Sequence, residues 1–207
     1  MYKNCYEINP WKITIFYVEF DEMNNSEKKI IVISGSSGVG KGTVIKALLS
    51  SCEDIKLSIS CTTRQPREGE EHGKNYYFIS REEFQNAVKR DDFIEWAEFS
   101  GNLYGTKKSF VLESLKNGEH VLLEIDTQGA LQIKQKMPEV VLIFIAPPSY
   151  EELEARLRGR HTETEEAIQK RLAFVDMEKE NSKQFDYIVV NDEIQRVVNE
   201  IKEIIGY

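Results

Sequence analysis

Nine residues, Gly35-Ser36-Ser37-Gly38-Val39-Gly40-Lys41-Gly42-Thr43, narrow what this chain can fold into more than any other stretch. They follow the apolar run Ile30-Ile31-Val32-Ile33 and precede the helical pattern Val44-Ile45-Lys46-Ala47-Leu48-Leu49. Strand, glycine-rich turn and helix in that order make a phosphate-binding loop: backbone N–H groups turn inward around an anion, the helix N-terminus adds partial positive charge, and Lys41 adds a full one. The ligand class is a nucleoside di- or triphosphate. The position after the lysine, where a hydroxyl ordinarily reaches Mg²⁺, is Gly42, and the hydroxyl comes one residue later at Thr43. Mg²⁺ keeps several of its waters in phosphate sites, so contact from Thr43 through water is the expectation.

After this unit, strands and helices alternate. Val121–Asp126, Val140–Ile145 and Tyr187–Val190 read as buried strands. A helix is expected from Gln128 to Lys136, and another carries the stripe Ile194, Val197, Val198, Ile201, Ile204 and Ile205. Near-continuous apolar strands between helices imply a parallel sheet covered on both faces, with ligands beyond the carboxyl ends of its strands. Two segments interrupt the pattern. Residues 58–109, with short strand-like runs at Tyr76–Ile79 and Phe93–Phe99, look like an inserted substrate-binding module. Residues 149–182 are helical and strongly charged, and look like a lid with few apolar residues to anchor it. Hinges are expected near residues 57–60, 106–110 and 147–150. Residues 1–28 form a leader of different character, with a short strand expected at Ile13–Val18 and the folded domain expected to begin near Met23.

A chain of 207 residues suits one domain with insertions. Its formal charge of −8 argues against a general nucleic-acid or membrane-surface binder, and it makes clustered arginines more telling. Cys5, Cys52 and Cys61 lack metal-ligand spacing and fit reduced thiols in a reducing, cytoplasmic compartment. No stretch approaches the ~18 apolar residues of a membrane span.

Arg64 and Arg67 stand three apart across Pro66, while Arg156, Arg160 and Arg171 lie in the charged helical segment, the first two on one helical face. Arginine's fork matches phosphate oxygens. Taken singly, these arginines also suit a solvated face with Glu152, Glu154 and Glu163 as partners. Glu95 sits between large apolar neighbours in Phe93-Ile94-Glu95-Trp96. Glu124 and Asp126 are two apart on one expected strand, hence on one face, where carboxylates orient Mg²⁺ and its waters; Asp126 also suits a strand-end cap.

Together these residues resemble the guanylate kinase family from Lys29 to the C-terminus. The resemblance rests on the nine-residue loop, on Ser58–Glu70 (S-I-S-C-T-T-R-Q-P-R-E-G-E) and on Gly73–Phe78 (G-K-N-Y-Y-F). It continues through Phe93–Thr106 (F-I-E-W-A-E-F-S-G-N-L-Y-G-T), Leu123–Gly129 (L-E-I-D-T-Q-G), Ala146–Ser149, Thr162–Glu166 and Val190–Asp192. It implies an α/β, three-layer P-loop kinase fold with a central parallel sheet: a core of residues 29–57, 110–148 and 183–207, a mixed α+β GMP-binding module at 58–109 and a helical lid at 149–182. The implied reaction moves the γ-phosphoryl group of ATP to GMP, and to dGMP, with Mg²⁺.

By the same resemblance Ser60, Arg64, Arg67, Tyr76 and Tyr104 hold the GMP phosphate, and Glu95, Thr106 and Asp126 read guanine. Gly38, Val39, Gly40, Lys41, Gly42 and Thr43 cradle the ATP phosphates, with Asn191 and Asp192 near the adenine. Lys41, Arg67, Arg160 and Arg171 stabilise the transferring group, with Arg156 nearby, and Thr43 and Glu124 approach Mg²⁺. The acceptor phosphate, with a second pKa near ~6, is already largely dianionic at neutral pH and needs no general base. That suits a site of Lys, Arg and Mg²⁺. The partners implied are small nucleotides alone, with no obligatory protein, nucleic acid or membrane. Two other readings compete: a peptide-binding scaffold module of the same fold without catalysis, and a nucleoside monophosphate kinase with another base preference.

Overall fold

Strand β1 (Ile30–Gly35) is buried along its whole length, which is the fate of an apolar run with helices on both sides. The computed structural model of the chain describes residues 28–99, 101–159 and 165–207. The leader strand expected at Ile13–Val18 and the start expected at Met23 lie outside them. β1 is the middle of a five-stranded parallel sheet in the order β2-β7-β1-β8-β9, with β2 at Ile55–Leu57, β7 at His120–Glu124, β8 at Val141–Ala146 and β9 at Tyr187–Val190. The three-residue edge strand β2 adds to the strands legible in the sequence.

Strand alternation divides the core in two. Ile31 and Ile33 join Leu122, Ile143, Ile145 and Val189 on one face, covered by helices α1 (Lys41–Ser51) and, at the end of the chain, α8 (Ile194–Ile205). Ile30 and Val32 join Val121, Leu123, Leu142 and Phe144 on the other, covered by α3 (Lys108–Lys116) and α4 (Thr127–Lys136). Helix, sheet and helix make the three layers expected.

The inserted segment has its own four-stranded sheet, β4-β3-β6-β5, from β3 (Cys61–Thr62), β4 (Tyr77–Phe78), β5 (Phe93–Phe99) and β6 (Asn102–Lys107). Helix α2 (Arg81–Lys89) opens with a reciprocal capping box between Ser80 and Glu83. Phe84, stacked on Phe93 with ring centroids 4.5 Å apart, centres a small separate core with Cys61, Ala87 and Leu103. In β5 the next residue, Ile94, points instead into the main core beside α4. Pairing with β6 shifts register between Phe93 and Glu95, and such an irregularity re-aims the side chain that follows it. That side chain is Glu95.

Two expectations are corrected. The helices after β8, α5 (Tyr150–Arg158), α6 (Glu165–Ala173) and α7 (Val175–Ser182), are anchored well: Leu153, Leu157, Ile168, Leu172 and Val175 are all buried in the main core cluster. The apolar positions repeat at helical spacing, and most of the charges face outward, with Arg156, Arg171 and Glu178 turned inward. The strand carrying Glu124 ends there, so Glu124 and Asp126 share no strand face. Asp126 caps α4 instead, its Oδ1 accepting from the Gly129 N–H at 2.8 Å.

Leu122, fully buried in the middle of the sheet, sits where neighbours on both sides limit collapse. Leu122→Ala is expected to lower the unfolding free energy by about 2–5 kcal/mol with an unchanged urea m-value. An equilibrium urea titration measures it.

Candidate active site

The turn after β1 reaches α1 through Gly40, whose φ of 99° is a conformation that side-chain-bearing residues avoid. No side chain caps α1, and an uncapped helix N-terminus of this kind suits an anion. Val39 is buried, and its carbonyl is gripped twice, by the Asn191 amide at 2.7 Å and by Arg156 Nη1 at 3.2 Å. Arg156 also donates to the Asn191 carbonyl at 3.2 Å and pairs with Glu152. A side chain at Gly38 would meet Leu157 of α5 at 2.5 Å, so the loop lies directly against the helices that follow β8. From α6, Arg171 donates to the Ser37 hydroxyl. Lys41 Nζ donates to the Gly35 carbonyl at 2.5 Å and to that of Ser36 at 3.3 Å, a cation held over the loop's mouth.

The inserted module supplies a second cationic group. Arg64 pairs with Glu70 at 2.9 Å and lies over the rings of Tyr76 and Phe78, 5.4 and 5.8 Å from their centroids. The Glu70 carboxylate also accepts the Arg67 backbone N–H at 2.7 Å, which fixes the turn between the two arginines. Its pKa is lowered chiefly by the Arg64 bond. Tyr76 meets Tyr104 edge-on at 6.1 Å, and the buried Ser60 adjoins them through its carbonyl bond from Tyr77. Burial pushes the Tyr76 phenol up, with the nearby Glu124 carboxylate adding to the rise.

Glu95, 3% exposed, accepts a hydrogen bond from the wholly buried Thr106 at 2.6 Å. Burial raises its pKa to about 7, opposed by the Thr106 bond and reinforced by the charge of Asp126. Asp126 also acts on Glu178 of α7, whose carboxyl is pushed up by burial against the pull of Lys41 and a bond from Ser36. Asp126 thus lies close enough to both Glu95 and Glu178 for its charge to act on each, and Lys41 acts on Glu178 from the loop side.

Mg²⁺ is a hard cation that takes oxygen ligands and keeps several waters. The oxygens present suit it: Glu124 and Gly42 line one cleft beside α1, Thr43 is exposed at the start of the same helix, and Glu178 Oε2 is a buried oxygen with no hydrogen-bond partner. No cluster of three or more acidic, His or Cys side chains able to hold a metal occurs among the described residues.

Of the residues singled out from sequence, Gly38, Val39, Gly40, Lys41, Arg156, Arg171 and Asn191 come together at the loop. Arg64, Tyr76 and Tyr104 meet in the module, as do Glu95, Thr106 and Asp126 beside α4. Asn191 braces the loop backbone, and Asp192 is exposed and paired with Arg196 at 2.7 Å. The Arg67 side chain is exposed, and Arg160 lies outside the described residues. Sequence reasoning missed Glu70, Ser37 and Glu178. Only Glu70 left a local sign, three residues after Arg67 in a turn.

The chain matches the family model described as guanylate kinase over residues 27–207. A guanylate kinase of Prochlorococcus marinus subsp. pastoris is 53% identical over 178 residues, covering 86% of this chain and 97% of that one. One from Caldanaerobacter subterraneus subsp. tengcongensis is 53% identical over 176 residues, 85% of each chain. The crystal structure of guanylate kinase from Anaplasma phagocytophilum superposes with a TM-score of 0.72 at 37% identity, covering 87% of this chain and 86% of that one.

Burying Glu95 has a pH signature. Unfolded, its carboxyl ionises near the ordinary 4.5; folded, near about 7. Below the lower value it is protonated in both states, and the stability present there is lost as pH rises through the higher one, about 3 kcal/mol in all. Glu95→Gln keeps the shape without the charge. It is expected to stabilise the protein by up to about 3 kcal/mol near pH 8 and by less than about 1 kcal/mol near pH 5. Urea unfolding at both pH values checks this; a gain that does not grow with pH contradicts it.

Proposed function

The chain belongs to the guanylate kinase family, and we propose that it transfers the γ-phosphoryl group of ATP to GMP, and to dGMP, giving ADP and GDP or dGDP. The observation that supports this most is the buried pairing of Glu95 with Thr106 in a chain that also carries a lysine-bearing phosphate loop. Guanine presents N1–H and a 2-amino group side by side, and an ionised Glu95 accepts from both. Adenine offers an unprotonated N1 there, so acceptor faces acceptor in a buried place, at a cost of ~1–3 kcal/mol or more.

In this reading residues 58–109 bind GMP and residues 149–182 close over ATP, between core segments 29–57, 110–148 and 183–207. Arg64, Arg67, Tyr76, Tyr104 and Ser60 hold the GMP phosphate, with Glu70 keeping Arg64 in place. The amides of residues 38–43 hold the ATP phosphates. Lys41, Arg67, Arg160 and Arg171 meet the charge that develops in flight, with Arg156 close by, and Asn191 and Asp192 lie toward the adenine. Mg²⁺ would supply neutralising charge on the phosphate oxygens when bound, and Thr43 and Glu124 would hold it through water. The acceptor dianion attacks in line, and closure excludes water that would otherwise take the phosphoryl group.

The two buried free cysteines, Cys52 and Cys61, fit a reducing cytoplasmic setting, and no helix among the described residues is long and apolar enough to cross a membrane. The scaffold reading is not favoured, because the loop, its lysine and the lid arginines stand together with relatives named as kinases.

A coupled assay with ATP and GMP, dGMP, AMP, CMP or UMP tests the proposal. Turnover of GMP and dGMP is expected to exceed that of the others by at least ~100-fold in kcat/KM. Lys41→Ala is expected to lower kcat by ~100-fold or more. Glu95→Gln is expected to raise KM for GMP by about tenfold or more while moving KM for ATP little. Equal rates with AMP, or equal KM changes for both substrates, would overturn the base assignment.

A further inference from the structure

Gly129 lies in the first turn of α4 with ordinary helical backbone, so its conformation does not call for glycine. Alanine is the better helix former at such a position. The reason for glycine is space. A Cβ placed there would lie 2.8 Å from Glu95 Oε2, 3.6 Å from Glu95 Cδ and 3.6 Å from Asp126 Oδ1. The three nearest atoms thus all belong to the two carboxylates beside the guanine end of the site. Glu95 cannot easily turn aside: its other oxygen, Oε1, is held by Thr106 at 2.6 Å, and the two oxygens share one rigid plane. Swinging Oε2 away from residue 129 would pull Oε1 off the Thr106 hydroxyl.

We propose that Gly129 is a positioning residue for base recognition, whose bare Cα lets the Glu95 carboxylate seat against α4 in the one plane where Thr106 holds one oxygen and both oxygens stay directed at the base. The proposal rests on Glu95 reading guanine. A side chain at 129 tilts the carboxylate, and the loss is expected to fall on GMP far more than on ATP, because the atoms nearest that Cβ all belong to Glu95 and Asp126.

The test is a double-mutant cycle of Gly129→Ala and Glu95→Ala, read by calorimetric Kd for GMP, by KM for GMP and ATP, and by Tm. Gly129→Ala is expected to weaken GMP about tenfold or more, while KM for ATP and kcat stay within about threefold. In the Glu95→Ala background the same substitution is expected to cost no further GMP affinity. Tm gives a second cycle that does not depend on activity. Alanine is expected to raise Tm once the Glu95 carboxylate is gone, as a better helix former should, and to fail to raise it while the carboxylate is present. Unchanged GMP affinity in Gly129→Ala, with Glu95→Ala defective, overturns the role of Gly129 alone. Equal losses for GMP and ATP, or equal Tm gains in both backgrounds, overturn it too. A Glu95→Ala variant that binds GMP like the parent overturns the guanine reading on which it stands.

Discussion

Two phosphate chains repel each other, and most polar placements around the β1–α1 turn answer that repulsion. The chain as a whole carries a formal charge of −8, so the cations that matter have to be gathered locally. The fold does this by bringing three distant stretches to the carboxyl edge of one sheet: the loop with Lys41, the module with Arg64 and the helices with Arg156 and Arg171. Parallel strands make that possible, because each returns its carboxyl end to the same side. Until substrates arrive, these cations rest on carbonyls, hydroxyls and the Glu70 carboxylate, and anionic oxygens can replace those partners.

The proposed base site obeys the opposite logic. Glu95 is kept away from water, and neutral donors from Thr106 and the charge of Lys136 do not offset its burial, so its charge is poorly compensated. A carboxylate satisfied by an arginine would be more comfortable and less useful, since its lone pairs would already be taken. The proposed guanine end therefore stores an unmet demand for donors, while the proposed phosphate end gathers cations whose present partners anionic oxygens can replace. A nucleotide that meets only one of them gains only part of the available binding.

The β1-loop-α1 unit was legible because its pattern is local: an apolar run, a turn that needs glycine and a helical stripe. The parallel three-layer sheet followed from Leu122–Leu123, Leu142–Ile145 and their neighbours being apolar on both faces. What escaped was non-local. β2 is three residues long and gains its identity only by pairing with β7. Glu178 sits among charges that resemble any solvated helix, and its meeting with Lys41 depends on how α7 packs. The anchoring leucines at 153, 157 and 172 were diluted by glutamates and arginines, so a stripe of buried residues read as a weakly held lid. Asp126 was misplaced because a strand end and a helix cap look alike in sequence; Gly129, three residues on, supplies the N–H that decides between them.

The Val39 carbonyl is secured by a residue 152 positions away, Asn191, just beyond the last strand. The sequence feature written earliest in the domain therefore takes its working shape only when nearly the whole chain exists. During synthesis, β1, the glycine turn and α1 emerge long before the amide that fixes their junction. A nascent chain stopped short of β9 carries every residue of the phosphate loop and Arg156, and lacks the shorter of the two grips on the Val39 carbonyl. The full bracing of the loop is thus acquired late, once the stretch beyond β9 is in place.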